Sequence, residues 1–192
     1  MNCIYCGNPA GFLRFNHKEC EDQFNKLLFD RDEILKSYVS GVCDKMVAQK
    51  ALLEIAEHPY VKNTFTNMSE VIKAHEVIIR SDDLVSVTEY KNHRSMVRTG
   101  LSYARYPIYE EGEVGLGRCT VVITDKMINV IPDAKGVKRI SLAMNKIINI
   151  TTPNSNITVE IKTTSPVPHR VSLNYRSDLD SVFGLIKCFS KL

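Results

Sequence analysis

The sequence predicts an α+β protein. A cysteine and histidine knuckle and a run of helices precede a small antiparallel β-barrel or sandwich, which a C-terminal helix closes. Three observations carry this expectation. Residue types that bind metals crowd into the first twenty positions, and the hydrophobic period changes from 3.6 to two after Asp82-Asp83. The chain then ends on an amphipathic stretch that follows Ser177. The expected divisions are a knuckle over 1–24, a helical segment over 20–82 and a β domain with its terminal helix over 84–192. A chain of 192 residues has room for that and little more.

The knuckle comes first. Cys3, Cys6, His17 and Cys20 follow the pattern C-x2-C-x10-H-x2-C. Cys3 and Cys6 are spaced for a tight turn whose two thiolates converge, and Gly7 can take the positive φ such turns often need. His17 and Cys20 stand three apart, which puts both on one face of a helical first turn. Three thiolates and one imidazole make a closed tetrahedral set, so the expectation is one structural Zn2+ per chain with no position left for a reacting water. A redox C-x-x-C would normally sit within a βαβ unit, and nothing precedes this pair. Cys43, Cys119 and Cys188 stand singly in apolar patterns and read as buried, inert thiols.

Helices follow. Phe24, Leu27, Leu28, Ile34, Leu35 and Tyr38 form one stripe, with Glu19, Glu21 and Asp22 near the positive end of the helix dipole. Gly41 marks a break. A second helix carries Val42, Met46, Leu53 and Ala56 and stops near His58-Pro59. A third is expected from about Met68 to Ile79, with Asn67 and Glu70 as its capping pair and His75 on its apolar stripe.

Beyond Asp83 the chain reads as strands: Leu84–Lys91, Met96–Tyr109, Glu113–Ile123, Met127–Ile131, Val137–Leu142, Ile147–Thr151, Ile157–Thr163 and Val167–Leu173. Turn signals such as Glu110-Glu111-Gly112 and Thr124-Asp125-Lys126 separate them. Gly115-Leu116-Gly117 lacks the rest of a dinucleotide fingerprint and reads as a strand bend. In the last helix Ser177 is the expected cap, and Leu179, Val182, Phe183, Ile186 and Phe189 make the apolar face.

Within this half the run from Gly117 to Val130 (Gly117-Arg118-Cys119-Thr120-Val121-Val122-Ile123-Thr124-Asp125-Lys126-Met127-Ile128-Asn129-Val130) is similar to the central hairpin of bacterial PH-like and GRAM-like domains. The stretch from Ile140 to Ile150 resembles the segment that follows it. The run from Arg94 to Ser102, with Arg105, resembles the preceding strand in bacterial proteins that join a short zinc-binding segment to such a domain. Val130-Ile131 departs from the pattern, which has an aromatic there. The resemblance spans roughly 84–190 and implies a PH-like barrel that binds or scaffolds and does not catalyse.

The charge balance agrees with a binding role. A net +3 hides an acidic front and a basic back: residues 1–58 hold 7 basic and 9 acidic side chains, and residues 113–192 hold 11 and 6. Between 90 and 109 the chain interleaves Lys91, Arg94, Arg98 and Arg105 with Tyr103 and Tyr106, and contains no acid. These six are the candidate binding surface. The first expectation is a non-enzymatic zinc-containing adaptor that contacts a protein partner or a second copy of itself. The alternative is a nucleic-acid binder using the knuckle and the basic strand. A membrane surface ranks last, because no basic amphipathic helix or lipidation signal supports it, and no small-molecule substrate is expected. No apolar run approaches the roughly 18 residues of a spanning helix. The Met1-Asn2-Cys3 start leaves no room for a signal peptide, so the expected location is the cytoplasm.

Overall fold

The computed structural model describes residues 1–11, 14–68, 72–73, 75–98, 105–165, 167–175 and 177–192, without the side chains of 67, 92–95, 97–98 and 105–110. The chain is α+β. Four helices are present among the described residues: α1 (Lys18–Val39), α2 (Lys45–Glu57), the one-turn α3 (Pro59–Lys62) and α4 (Leu179–Phe189). Seven strands form one antiparallel sheet: β1 (Ile78–Arg98), β2 (Arg105–Thr124), β3 (Met127–Pro132), β4 (Ile140–Ala143), β5 (Ile147–Thr151), β6 (Asn156–Ile161) and β7 (His169–Asn174). Their spatial order is β4-β3-β2-β1-β7-β6-β5. The two outermost strands, β4 and β5, are consecutive in sequence and joined by a single 3-10 turn, Met144–Lys146, so the sheet curls into a half-barrel whose ends meet at that corner.

Alternation of apolar residues builds the core. Val85, Val87, Val121, Ile123, Ile128, Val130, Ile157, Val159, Val171 and Leu173 line one face and are buried. Helix α4 closes that face with Val182, Leu185, Ile186 and Cys188, while Leu35 of α1 and Ala48, Leu52 and Ala56 of α2 extend the same cluster. Gly184 lets α4 approach α1 closely, since a Cβ there would lie 2.9 Å from Val39 Cγ2. No described helix is long and apolar enough to cross a membrane.

Several elements differ from the sequence expectation. The runs Leu84–Lys91, Met96–Tyr109 and Glu113–Ile123 are not three short strands but two long ones. Glu110-Glu111-Gly112 does not turn: it lies inside β2, opposite His93, Asn92 and Lys91, and Arg170 holds the Glu111 carboxylate from β7. The bend at Gly115–Gly117 is a bulge, with Leu116 as the extra residue between the Val87–Gly117 and Thr88–Gly115 pairs. The expected helix from Met68 to Ile79 is replaced. Pro59 starts α3, with His58 Nδ1 accepting from the Tyr60 N–H, a 3-10 turn follows over Asn63–Met68, and Ile78 and Ile79 already belong to β1. His75 is exposed at φ +78, a conformation no helix interior contains. Its expected cap, Asn67 with Glu70, lies outside the described side chains. On α2 the buried stripe is Ala48, Leu52 and Ala56, whose small members allow close packing, while Val42 and Met46 face solvent. The residue flanking the N-terminus of α4 is Asp178, at φ +61 and with no side-chain cap bond, rather than Ser177.

Beyond Tyr90 the β7 pairing ends, and before Cys119 the β3 pairing has not begun. From Lys91 to Arg98 and from Arg105 to Arg118, β1 and β2 therefore pair only with each other among the described strands. The result is a two-stranded arm, about 26 Å long on its β1 side, at a strand rise of about 3.3 Å per residue.

Candidate metal centre

The knuckle forms by local backbone bonding. Asn2 and Pro9 make an antiparallel bridge, Cys3 N–H donates to Asn8 O (2.7 Å), and Gly7 N–H donates to Cys3 O (2.8 Å) at φ +74. This hairpin presents Cys3 and Cys6 together. His17 is the N-terminal flank of α1, its carbonyl accepting the first helical bond from Glu21, and Cys20 follows within the first turn.

The expected ligands converge. One ligand atom each from Cys3, Cys6, His17 and Cys20 lies within 4.8 Å of the others, with Cys3 and Cys20 buried and Cys6 and His17 half-buried. His17 Nδ1 sits 3.5 Å from Cys6 Sγ and 3.7 Å from Cys20 Sγ. A tetrahedral ion with bonds of about 2.3 Å to sulfur and about 2.0 Å to nitrogen requires edges near 3.5 Å between nitrogen and sulfur, which the two His17–sulfur distances match. The other ring nitrogen, Nε2, lies 3.1 Å from Pro9 O. Donation of its proton to that carbonyl assigns the tautomer whose Nδ1 lone pair faces the sulfurs, the outer-shell arrangement metal-bound histidines use.

Electrostatics push the thiols apart. Burial opposes the Cys3 thiolate, yet the backbone N–H groups of Cys6, His17 and Tyr5 favour it and bring its pKa down to about 6. Burial pushes the Cys20 thiol up to about 11, reinforced by Cys6 and Cys3 beside it. A cation at the centre removes that mutual repulsion.

Residues without a ligand pattern hold the cluster to the helices. Tyr5 stacks on Phe24 of α1 with ring centroids 4.8 Å apart, Asn63 Nδ2 donates to Tyr5 O (2.6 Å), and Tyr60 packs on the same small core. The Cys20 thiolate, with burial, holds the Tyr60 phenol above its usual pKa. Tyr5 lies inside the knuckle and was open to inspection there. Tyr60 and Asn63 sit some forty residues beyond the last ligand and carry no signal of their own.

The candidate basic surface is only partly described. Lys91 is exposed, with Nζ 3.1 Å from Glu89 Oε2. Arg94, Arg98, Arg105 and Tyr106 have backbone positions in the β1–β2 ladder but their side chains lie outside the described residues, and so does Tyr103 altogether. Of the three remaining thiols, Cys119 and Cys188 are fully buried, and burial raises both to about 11, whereas Cys43 is half-buried.

Compared with known proteins, the chain matches no family model, no curated protein and no solved structure.

Proposed function

We propose that the protein is a non-enzymatic, zinc-stapled binding module. A PH-like half-barrel over 84–192 would carry the binding element, and the knuckle would lock the helical layer beside it. The observation that carries this reading is the β1–β2 arm, a ladder with both outer edges open and no third strand among the described residues. Two isolated strands are marginal in water, so an arm of this length is a surface that something else completes. Its unpaired N–H and C=O rows suit strand addition by a protein partner or a second copy of the chain, the contact an adaptor makes. Zinc is the metal the donor set favours, because three thiolates and an imidazole in tetrahedral array select it over harder cations. When bound it supplies cross-linking only. A cluster of reduced thiols also suits the reducing cytoplasm.

Two measurements test the reading. Elemental analysis of purified protein should return about one zinc per chain, and the double variant Cys3→Ser/Cys20→Ser should return none. A correctly folded wild type free of metal overturns the staple. Replacing residues 92–110 by a Gly-Asn-Gly turn should leave the zinc content intact and abolish capture of whatever partner the full chain retains. Unchanged capture overturns the role given to the arm.

A further inference from the structure

A cavity of about 660 Å³ lies between the end of α2, the 3-10 turn over Asn63–Met68 and the run into β1. A volume of this order takes a compact organic ligand rather than a few waters. Its two walls are fixed from behind. On one side Asn63 Nδ2 donates to Tyr5 O at 2.6 Å and Val61 is buried, which ties the turn to the knuckle. On the other, Lys126 Nζ donates to His75 O (2.6 Å), Thr124 Oγ1 to Glu76 Oε2 (2.9 Å) and the Val77 N–H to Asp125 Oδ1 (2.9 Å). These bonds to the β2–β3 turn hold His75 at φ +78, a strained backbone for a residue other than glycine. Such strain persists where surrounding contacts over-determine it, and it collects at ligand clamps. Both walls are thus held in place by contacts outside the cavity.

Ala56, Phe65, Ile72 and Val77 give the cavity an apolar bed, Ala56 buried and the other three half-buried. Glu57, Lys62 and Lys73 stand around that bed as exposed charges. None of the three is in an ion pair, with each other or with another residue, among the described residues. Glu76 is occupied by Thr124. We infer that the cavity binds a free short peptide with apolar side chains, of two or three residues. Its carboxylate meets Lys62 and Lys73, its ammonium meets Glu57, and its side chains lie on the apolar bed. A simple organic anion would leave Glu57 without a partner, and a simple amine would leave both lysines without one. A terminus of a folded protein brings only one of the two charges. None of the lining residues is a metal ligand or belongs to the arm, so this site is separate from the strand addition proposed there.

Amide NMR of the full zinc-loaded chain, titrated with leucyl-leucine, its N-acetyl form and its C-terminal amide, tests this. Leucyl-leucine should shift amides within 56–66 and 75–78 saturably, and glycyl-glycine, which lacks the apolar side chains, should not. Acetylation and amidation should each weaken wild-type binding by about threefold. Glu57→Gln should abolish the effect of acetylation alone, and Lys62→Gln/Lys73→Gln that of amidation alone. All three side chains are exposed, so these variants should fold, which circular dichroism and zinc content check. Val42→Ser/Met46→Ser, on the exposed apolar residues beside α2, should bind as the wild type does. No saturable shifts, shifts centred on Val42 and Met46, or equal binding of all three leucyl peptides overturns the inference. So does a Glu57→Gln variant that still responds to acetylation as the wild type does. Tighter binding of decanoate than of leucyl-leucine would make the occupant a simple organic anion and overturns it too.

Discussion

Six cysteines in one chain divide into three chemical situations, and each side chain's surroundings decide which. Cys3, Cys6 and Cys20 bring their sulfurs within 4.8 Å of one another beside His17. Cys119 and Cys188 are enclosed by apolar residues that disfavour the thiolate and raise both pKa values to about 11. Cys43 is half-buried beside the Asp44 carbonyl. Alkylation by iodoacetamide at pH 8, mapped by mass spectrometry, should therefore modify Cys43 first in the zinc-loaded protein. Adding a chelator should expose Cys3, Cys6 and Cys20 together, while Cys119 and Cys188 stay unmodified until denaturant is added. Equal reactivity of Cys3 and Cys20 with and without chelator would remove the ion from the account.

Among the elements, one buried polar network joins helix to sheet. Arg80 of β1 is 7% exposed; its Nε donates to both Asp82 oxygens at 2.9 and 2.7 Å, and its other nitrogens reach Ser181 Oγ and Asp178 at 3.4 Å. Tyr175 donates to Asp82, and Ser181 donates to Asp32 of α1, so α1, β1 and α4 meet at a single set of hydrogen bonds. Removing Arg80 leaves the mostly buried Asp82 carboxylate without its cation, while the more exposed Asp178 and Asp32 keep water. Arg80→Ala should cost about 3 kcal/mol or more in urea denaturation, against less than about 0.5 kcal/mol for Lys50→Ala, whose 3.9 Å pair with Glu54 is exposed. Similar costs for the two would show that the network contributes no more than a surface pair. This junction also marks the limit of what local sequence discloses. The knuckle was legible because its ligands lie within eighteen residues and their spacing is their chemistry. Strand alternation and the final amphipathic helix were legible for the same reason, as patterns confined to a short window. Glu110-Glu111-Gly112 looked like a turn because its satisfying partner, Arg170, arrives 59 residues later. The Met68–Ile79 stripe failed because β-branched Ile78 and Ile79 gain more from pairing beside β2 than from a helical turn.

At the scale of the whole molecule, two separate apolar clusters are held by one rod. The large cluster fills the half-barrel and reaches Leu35 of α1. The small one holds Cys3, Tyr5, Ala10 and Cys20, with Phe24 and Tyr60 against it. Helix α1 has 22 residues, about 33 Å at 1.5 Å per residue, and touches the small cluster with its first turns and the large one with its last. The small cluster buries few apolar side chains, so a metal held by its four ligands would supply most of its order. The large cluster contains no ligand residue. Chelation should therefore unfold the protein in part rather than as a unit. Amide hydrogen exchange after zinc removal should show protection lost over 1–25 and over 58–63, where Tyr60 and Asn63 lean on the knuckle. Protection should persist in β2, β3, β6, β7, α4 and the end of α1 around Leu35. Thermal denaturation should then give one low transition that depends on zinc and one higher transition that does not. Loss of protection throughout the sheet on chelation would mean that the half-barrel depends on the knuckle for its stability. An unchanged exchange pattern would mean that the four ligands hold their geometry without an ion.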